Sequence, residues 1–258
     1  MIHVMKLKEE YFDYILKGSK EYEIRLNDEK RSIIKKSDFI EFQKEPFLKE
    51  RMLIPVDDLI YYPSFYELLN DIDIRYLASV KISKEKLLSD LEMFYSKEKQ
   101  NTYGTVAIKL DKSHIVKIDN INNIDTSNEL FNNLRKMYRN FDLWLDKLKD
   151  KNIDVMYTTS LDKMTSLFII KIDEKDSNEF FEEGNILKIR SFIVSDKNKG
   201  VGTNYLKLVE NIANANHINY IYLTVKKDNT ELIRFLEKNN YHRYNQLNDE
   251  YVYYKDVK

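Results

Sequence analysis

Two glycines placed two residues apart mark the part of this sequence that could hold a phosphate. The chain has 258 residues and only five glycines, and two of them are Gly200 and Gly202. An apolar run over 186–194 precedes them, and apolar residues at helical spacing follow them. Glycine lets backbone approach a ligand closely, and the first amides of a helix point at anions. The order of strand, turn and helix predicts a phosphate-binding turn, with a plain tight turn as the alternative.

Two common phosphate-binding motifs do not fit this turn. A Walker loop needs Lys and then Ser or Thr directly after its last glycine, whereas Thr203 and Asn204 follow Gly202. A Rossmann fingerprint needs a third glycine three residues further on, where Tyr205 stands. A third kind of phosphate-binding turn is therefore needed.

The stretch Lys197-Asn198-Lys199-Gly200-Val201-Gly202 resembles the acetyl-CoA loop of the GNAT N-acetyltransferase family, Gln/Arg-x-x-Gly-x-Gly/Ala. Lys197 keeps the cation of the first position but lacks the planar guanidinium fork. A second stretch, Asn229 to Tyr241, resembles the family pattern Asn-x-x-Ala-Ile-x-Leu-Tyr-x-Lys-x-Gly-Phe. The resemblance covers about 115–258, and it implies a mixed sheet flanked by helices, acetyl-CoA as cofactor and N-acetyl transfer.

The same resemblance implies which residues would bind acetyl-CoA. Strand amides would pair with the pantetheine arm like an added strand, and the amides of the turn would surround the pyrophosphate. Asn229 would contact the pantetheine or order the site. The expected cofactor-binding residues are Phe192, Ile193, Val194, Lys197, Lys199, Gly200, Val201, Gly202, Thr203 and Asn229.

The position that supplies a proton to the leaving thiolate in many family members has a different residue here. Leu236 stands where many members have a tyrosine. Tyr241 and His242 are the nearby candidates, and Tyr241 is taken as the catalytic residue. The alternatives are a packed strand residue for Tyr241 and a surface residue for His242. The sequence does not identify the group that accepts the proton of the amine.

The first half carries a different motif, with Gly18, Lys20, Glu23 and Arg25 at fixed spacing before the strand that follows Asp38. It resembles the ASCH domain, a PUA-like β-barrel whose pattern is Gly-x-Lys-x-x-Glu-x-Arg. The resemblance covers about 1–111 and implies a cleft that binds RNA or modified nucleosides. Some ASCH proteins hydrolyse N4-acetylcytidine with a Thr that aligns with Glu23, and a carboxylate cannot replace that hydroxyl, so no hydrolase activity is expected.

Alternation along this strand puts Glu21, Glu23 and Arg25 on one face, while Lys20 falls on the other with Ile24. A ligand-free surface cluster of ion pairs is the alternative to a binding cleft. A modest basic patch follows the motif. The expected RNA- or substrate-binding residues are Lys20, Glu23, Arg25, Lys30, Arg31, Lys35 and Lys36.

Composition excludes several classes of protein. The net charge of −1 leaves no overall basic field, so nucleic acid would have to be met by local patches. The sequence has no cysteine, which excludes disulfides and thiolate metal sites. It shows neither a membrane-spanning run nor a secretory leader, and a cytoplasmic protein without bound metal is expected. The oligomeric state is left open.

The predicted architecture is α+β with two domains, 1–111 and 112–258. Strands are expected at 2–7, 21–26 and 38–42, and an irregular segment at 47–63, where two of the three prolines lie. The expected function is acetyl-CoA-dependent N-acetyl transfer, with the first domain recognising an RNA or nucleotide-like acceptor. The alternatives are an acetyl-CoA-sensing regulator that binds RNA or a nucleotide, and an acetyltransferase for proteins or small amines.

Overall fold

The computed structural model describes residues 1–78, 82–161, 163–173, 186–195 and 197–257. The chain divides into two compact units, Met1–Lys117 and Ile118–Lys258. None of the described helices is both long and apolar enough to cross a bilayer.

The first unit is built on five strands that pair in the order β1-β3-β4-β5-β2. β1 runs parallel to β3, and the other three pairs are antiparallel. The strands are β1 (Ile2–Leu7), β2 (Tyr22–Leu26), β3 (Phe39–Lys44), β4 (Arg51–Tyr62) and β5 (Thr105–Leu110). The helices are α1 (Glu9–Leu16), α2 (Phe65–Asp71), α3 (Lys84–Phe94) and α4 (Lys97–Tyr103), with 3₁₀ turns at Ile74–Tyr76 and Lys112–His114.

The long strand β4 corrects the expectation of an irregular segment over 47–63. Pro55 lies in this strand opposite Phe39 of β3. The register then shifts between Val56 and Asp58, where β4 changes from pairing with β3 to pairing with β5. Pro55 lies two residues before the extra residue of this bulge, and bulges are among the places where sheets admit proline.

Two apolar clusters fill the first unit. One joins α1 to the sheet through residues such as Phe12, Ile40 and Ile54, and the other joins α2 and α3 to β2 and β5. Arg25 on β2 donates to the carbonyl of Lys6 on β1 at 3.1 Å. The first and last strands of the series therefore approach each other, as a barrel requires.

The second unit holds a mixed sheet with helices. The strands β7 (Asp154–Ser160), β8 (Lys163–Asp173), β9 (Ile186–Val194), β10 (Tyr220–Lys226), β12 (Glu250–Asp256) and β11 (His242–Leu247) pair in that order. β9 and β10 are parallel, and the other pairs are antiparallel. The remaining elements are β6 (Val116–Asn120), which crosses the division between the units, a 3₁₀ turn at Ile121–Asn123, and the helices α5 (Glu129–Met137), α6 (Phe141–Asp150), α7 (Val201–Ala215) and α8 (Thr230–Lys238).

Helices cover this sheet on both faces. Phe131, Phe141 and Leu145 of α5 and α6 pack against Leu167 and Ile169 of β8. On the other face, Tyr205 of α7 stacks on Phe168 of β8 with ring centroids 3.6 Å apart. The predicted α+β class, with a helix-flanked mixed sheet in the second half, is confirmed.

Candidate functional site

The parallel strands β9 and β10 separate part of the way along their length. Their register pairs Ile186, Leu187 and Lys188 with Tyr220, Ile221 and Tyr222. Beyond those positions β9 continues to Val194 and β10 to Lys226, and within the described residues the two strands no longer pair. One edge of β9 therefore has backbone groups open to a ligand that binds like an added strand.

A β-bulge coincides with this separation. In the register of β8 and β9, Ile169 faces Ser191 and Ile170 faces Ile189, so Arg190 is the extra residue. A bulge bends its strand and increases the local twist. Phe192, Ile193 and Val194 lie beyond the bulge and beyond the last residue that pairs with β10, and all three are only partly buried.

The turn after β9 leads into helix α7, whose first backbone amides have no side-chain cap. Gly200 has a φ of 76°, in the left-handed region, and precedes the first residue of α7. α7 has no side-chain cap and no acidic residue in its first turn, whereas Asn229 caps α8 and Glu231 lies in its first turn. The amides of Val201, Gly202 and Thr203 are thus the orphan donors that an anion can satisfy.

Gly202 has a packing role that the sequence did not reveal. A Cβ at this position would lie 3.1 Å from Cζ of Phe235 and 3.3 Å from Cζ of Phe192. These two rings also contact each other, with centroids 5.6 Å apart. The lack of a side chain at Gly202 lets α7 approach β9 and α8, so protein side chains occupy the space that the sequence interpretation left to a ligand.

Lys197 is joined to a residue that sequence reasoning missed. Its Nζ lies 2.6 Å from Oε2 of Glu231, and both side chains are exposed. Lys199 is also exposed beside the turn. Glu231 is the second residue of α8, and no fixed position of the sequence motif points to it.

Asn229 serves as the N-cap of α8. Its Oδ1 accepts a hydrogen bond from the amide of Leu232 at 3.2 Å. Two roles are expected for Asn229: ordering the site and contacting a ligand. The hydrogen bond to Leu232 is consistent with the first role.

Tyr241 lies in the core, with 1% of its surface exposed. Its hydroxyl has no hydrogen-bond partner among the described residues, and burial, aided by nearby Glu210, raises the pKa of this hydroxyl far above its usual range. Leu236 is fully buried, while His242 is exposed on the edge strand β11. An enclosed phenol that resists ionisation is poorly placed to give its proton to a thiolate.

The motif residues of the first unit form a buried charged cluster. Lys20 is 2% exposed, and its Nζ donates to the carbonyls of Tyr22 and Leu77, each at 2.7 Å. The same ammonium lies 3.3 Å from Oε2 of Glu23. Lys20 precedes β2, so strand alternation does not apply to it, and the expectation that it faces away from Glu23 is wrong.

Arg25 is the member of this cluster that reaches solvent. Its Nε lies 2.8 Å from Oε1 of Glu23, and its side chain is 21% exposed, against 2% for Lys20 and 5% for Glu23. Its Nη1 also contacts the hydroxyl of Tyr95 at 3.4 Å. Burial lowers the pKa of Lys20, against the opposing effect of Glu23, while Glu23 raises the pKa of Arg25. The cluster is a buried network and not a solvated surface patch.

The basic patch lies on the segment between β2 and β3. Lys30, Lys35 and Lys36 are exposed there. Arg31 is paired with Asp28 at 3.1 Å. Three of the four cations are thus displayed to solvent without an ion pair within the described residues.

No set of three or more His, Asp or Glu side chains in the described ranges is arranged to hold a metal ion.

Comparisons with known proteins find one family model and several solved structures to which this chain is similar. The model of the ASCH domain family matches residues 5–114. The hypothetical protein PH0355 is 35% identical over 43% of this chain and 97% of its own, with a TM-score of 0.38, and PF0455 from Pyrococcus furiosus is 34% identical over 43% and 96%, with a TM-score of 0.36. A GNAT-family acetyltransferase from Listeria monocytogenes is 12% identical over 44% of this chain and 71% of its own, with a TM-score of 0.36. No curated protein matched the chain. The chain belongs to the ASCH domain family, with its ASCH domain at residues 5–114.

Proposed function

We propose that the second half of the chain transfers an acetyl group from acetyl-CoA to an amine. The observation that supports this most is the separation of β9 from β10 in the strand that leads to the uncapped start of α7. An open strand edge followed by a helix N-terminus suits a ligand that has amide groups at one end and a pyrophosphate at the other. We further propose domain limits of 1–111 and 112–258.

The residues present fit such a ligand. Pantetheine carries peptide-like amides, and the open edge of β9 over Phe192–Val194 offers backbone donors and acceptors to them. The amides of Lys199–Thr203 and the dipole of α7 favour a pyrophosphate at the turn. Lys197 and Lys199 add positive charge beside it.

Acetyl-CoA, when bound, supplies a thioester carbonyl at which an amine nitrogen forms a bond while the carbon–sulfur bond breaks. The amine loses one proton and the departing thiolate gains one. An N–H of β9 near the bulge would donate to the carbonyl oxygen, where negative charge develops. Tyr241 is enclosed in the core, so we do not assign the proton transfer to it.

We propose that the ASCH domain recognises the acceptor, and that the acceptor is RNA or a nucleotide-like molecule in the cytoplasm. Arg25 supports this, since its terminal nitrogens carry further N–H groups beyond those that contact Tyr95 and Lys6. The exposed lysines after β2 would contact phosphates. A regulator that binds acetyl-CoA with little turnover remains the second candidate, favoured by the enclosure of Tyr241 and by Leu236.

Binding of CoA tests the transferase proposal. Calorimetry on the full chain should show micromolar-range binding, and Thr203→Glu should abolish it, because a carboxylate in the first turn of α7 competes with the pyrophosphate. The same carboxylate favours the helix start, so loss of binding would not reflect unfolding. Thr203→Gln, of equal size and no charge, should keep most of the affinity. Absence of CoA binding to the unsubstituted protein would remove both the transferase and the regulator.

Hydrogen exchange locates the ligand. Amides of residues 191–194 and 199–203 should exchange more slowly when CoA is added, while those of Ile186–Lys188, already paired, should not change. Protection confined to other parts of the chain would contradict the proposed site.

A further inference from the structure

Arg190 stands at the point where the candidate site opens. It is the extra residue of the bulge in β9, two positions after Lys188, the last residue of β9 that pairs with β10. The sequence alone does not mark this position, because a bulge is defined by the register of two strands. Its side chain therefore belongs to the part of β9 where the acetyl group would be transferred.

The environment of Arg190 differs from that of the other arginines. Arg139, Arg190 and Arg234 have no hydrogen bond, ion pair or ring contact with any described residue, whereas each of the other six arginines has at least one: Arg25, Arg31, Arg51, Arg75, Arg135 and Arg243. Arg139 and Arg234 are exposed, so water satisfies them. Arg190 is partly buried. A guanidinium that is partly removed from water without a partner is costly, and an anion relieves that cost.

The anion is not the pyrophosphate of the proposed cofactor. Val194, at the end of β9, is four positions after Arg190, a distance of about 13 Å at roughly 3.3 Å per residue. The α7 start lies further along the chain still. An anion that pairs with Arg190 would therefore lie on another part of the bound molecules, nearer to the reacting amine.

We propose that Arg190 binds an anionic group, a carboxylate or a phosphate, on the acceptor amine. This rests on the proposed transferase function and narrows its acceptor to amines that carry such a group close to the nitrogen. Arg190 acts here as a specificity-determining residue, and the planar fork of its guanidinium suits both anions.

The test uses matched amines on protein saturated with CoA. The pairs are O-phosphoethanolamine with ethanolamine and γ-aminobutyrate with butylamine, and affinity is measured by calorimetry. The protein should bind the anionic member of at least one pair about tenfold to hundredfold more tightly, the effect of a hydrogen bond to a charged group. The pair that shows the preference distinguishes phosphate from carboxylate. Mass spectrometry after incubation with acetyl-CoA should show the same preference in the acetylated product.

The variants separate a binding role from a structural one. Arg190→Gln should equalise the two members of the preferred pair while leaving the affinity for CoA unchanged, and Arg190→Lys should keep part of the preference. Arg234→Gln removes an exposed arginine that has no partner in the described part of the chain, and this variant should behave as the unsubstituted protein. An unsubstituted protein with no preference for the anion, or an Arg190→Gln variant that keeps it, would overturn the proposal. Failure of CoA itself to bind would instead refute the transferase function.

Discussion

At the scale of single residues, glycine is required at the two positions of the turn for different physical reasons. Gly200 has a left-handed φ that a side chain makes costly, whereas Gly202 lies inside a helix and faces two aromatic rings. One glycine permits a backbone conformation and the other permits close packing. Substitution should separate the two.

Gly202→Ala should lower the free energy of unfolding by about 1–3 kcal/mol, as overpacking does. Phe235→Leu in the same chain should recover part of this loss, because Cζ of Phe235 is the nearest atom to the new Cβ. Gly200→Ala should cost about 1–2 kcal/mol through its φ, with no recovery from Phe235→Leu. Urea unfolding of the single and double variants measures the coupling. Equal recovery for both glycines would contradict the distinction.

The ion pair of Lys197 with Glu231 should compete with the proposed cofactor. Both groups are exposed, so the pair is worth no more than about 1 kcal/mol, or a fivefold change in affinity. Glu231→Gln should therefore tighten CoA binding by up to about fivefold, since Lys197 no longer has to leave a carboxylate. The double variant with Lys197→Gln should bind as Lys197→Gln alone does. A Glu231→Gln variant that binds CoA more weakly would show that Glu231 itself supports the ligand.

At the scale of elements, the first turns of the helices differ in how their free backbone amides are satisfied. Ser64, Ser83, Ser96, Asn128 and Asn229 cap α2, α3, α4, α5 and α8 with their side chains. These helices satisfy one of their own first amides in this way. α1 and α6 also lack a side-chain cap, but each has at least one acidic residue in its first turn. Among the described helices α7 alone has neither feature, and it follows the strand whose edge toward β10 is open.

Asn229 allows a cap to be distinguished from a ligand contact. Asn229→Ala should cost about 1 kcal/mol of stability, while Asn229→Asp keeps an oxygen for the amide of Leu232 and should unfold at nearly the original urea concentration. If Asn229 only orders the site, Asn229→Asp also keeps its affinity for CoA. Calorimetry and urea unfolding on the same samples provide the comparison. A stable Asn229→Asp variant without CoA binding would show that the amide nitrogen contacts the ligand.

At the scale of the whole molecule, a net charge of −1 limits how RNA could be bound. The basic patch of Lys30, Arg31, Lys35 and Lys36 can engage a few phosphates, so the log–log salt slope for single-stranded RNA should be about −2 to −3. Lys35→Ala with Lys36→Ala should weaken all RNAs alike, whereas Arg25→Ala should mainly reduce discrimination between them. Fluorescence anisotropy at several salt concentrations measures both effects. No binding of RNA or nucleosides at low salt would exclude this acceptor.

Tyrosines in both units make the chain sensitive to alkali. Burial is the main cause that raises the pKa of Tyr11, Tyr62, Tyr138, Tyr205, Tyr241 and Tyr253 above 10, to about 12 for Tyr253. The folded state then holds these protons more tightly than the unfolded state. Stability should be complete below pH 10 and fall as the pH rises above it, by up to about 1.4 kcal/mol per pH unit for each tyrosine.

Tyr241→Phe provides the matched variant for this pH dependence. The Tyr241 hydroxyl has no partner among the described residues, so its removal should not lower stability at neutral pH. The loss of stability above pH 10 should become shallower, as urea unfolding at several pH values would show. Turnover by Tyr241→Phe is a second readout. Loss of turnover with CoA binding intact would return Tyr241 to the role of proton donor.

Local patterns in the sequence sufficed for much of this protein. The spacing of Gly18, Lys20, Glu23 and Arg25 indicated the ASCH domain, and the α+β class followed from the order of elements. The resemblance around Gly200 indicated a strand, a turn and a helix, because φ preferences, apolar spacing and capping are properties of neighbours in the chain.

Tertiary structure decided the features that depend on contacts between distant residues. Pro55 concealed β4, since only the pairing of this segment with β3 and then with β5 shows that one strand continues through the proline. The enclosure of Tyr241, the joining of Lys20 to Glu23, and the pair of Lys197 with Glu231 all depend on packing. The bulge at Arg190 exists only in the register of β8 with β9. A sequence states which groups are available, and the fold determines which of them lose water and which partner replaces it.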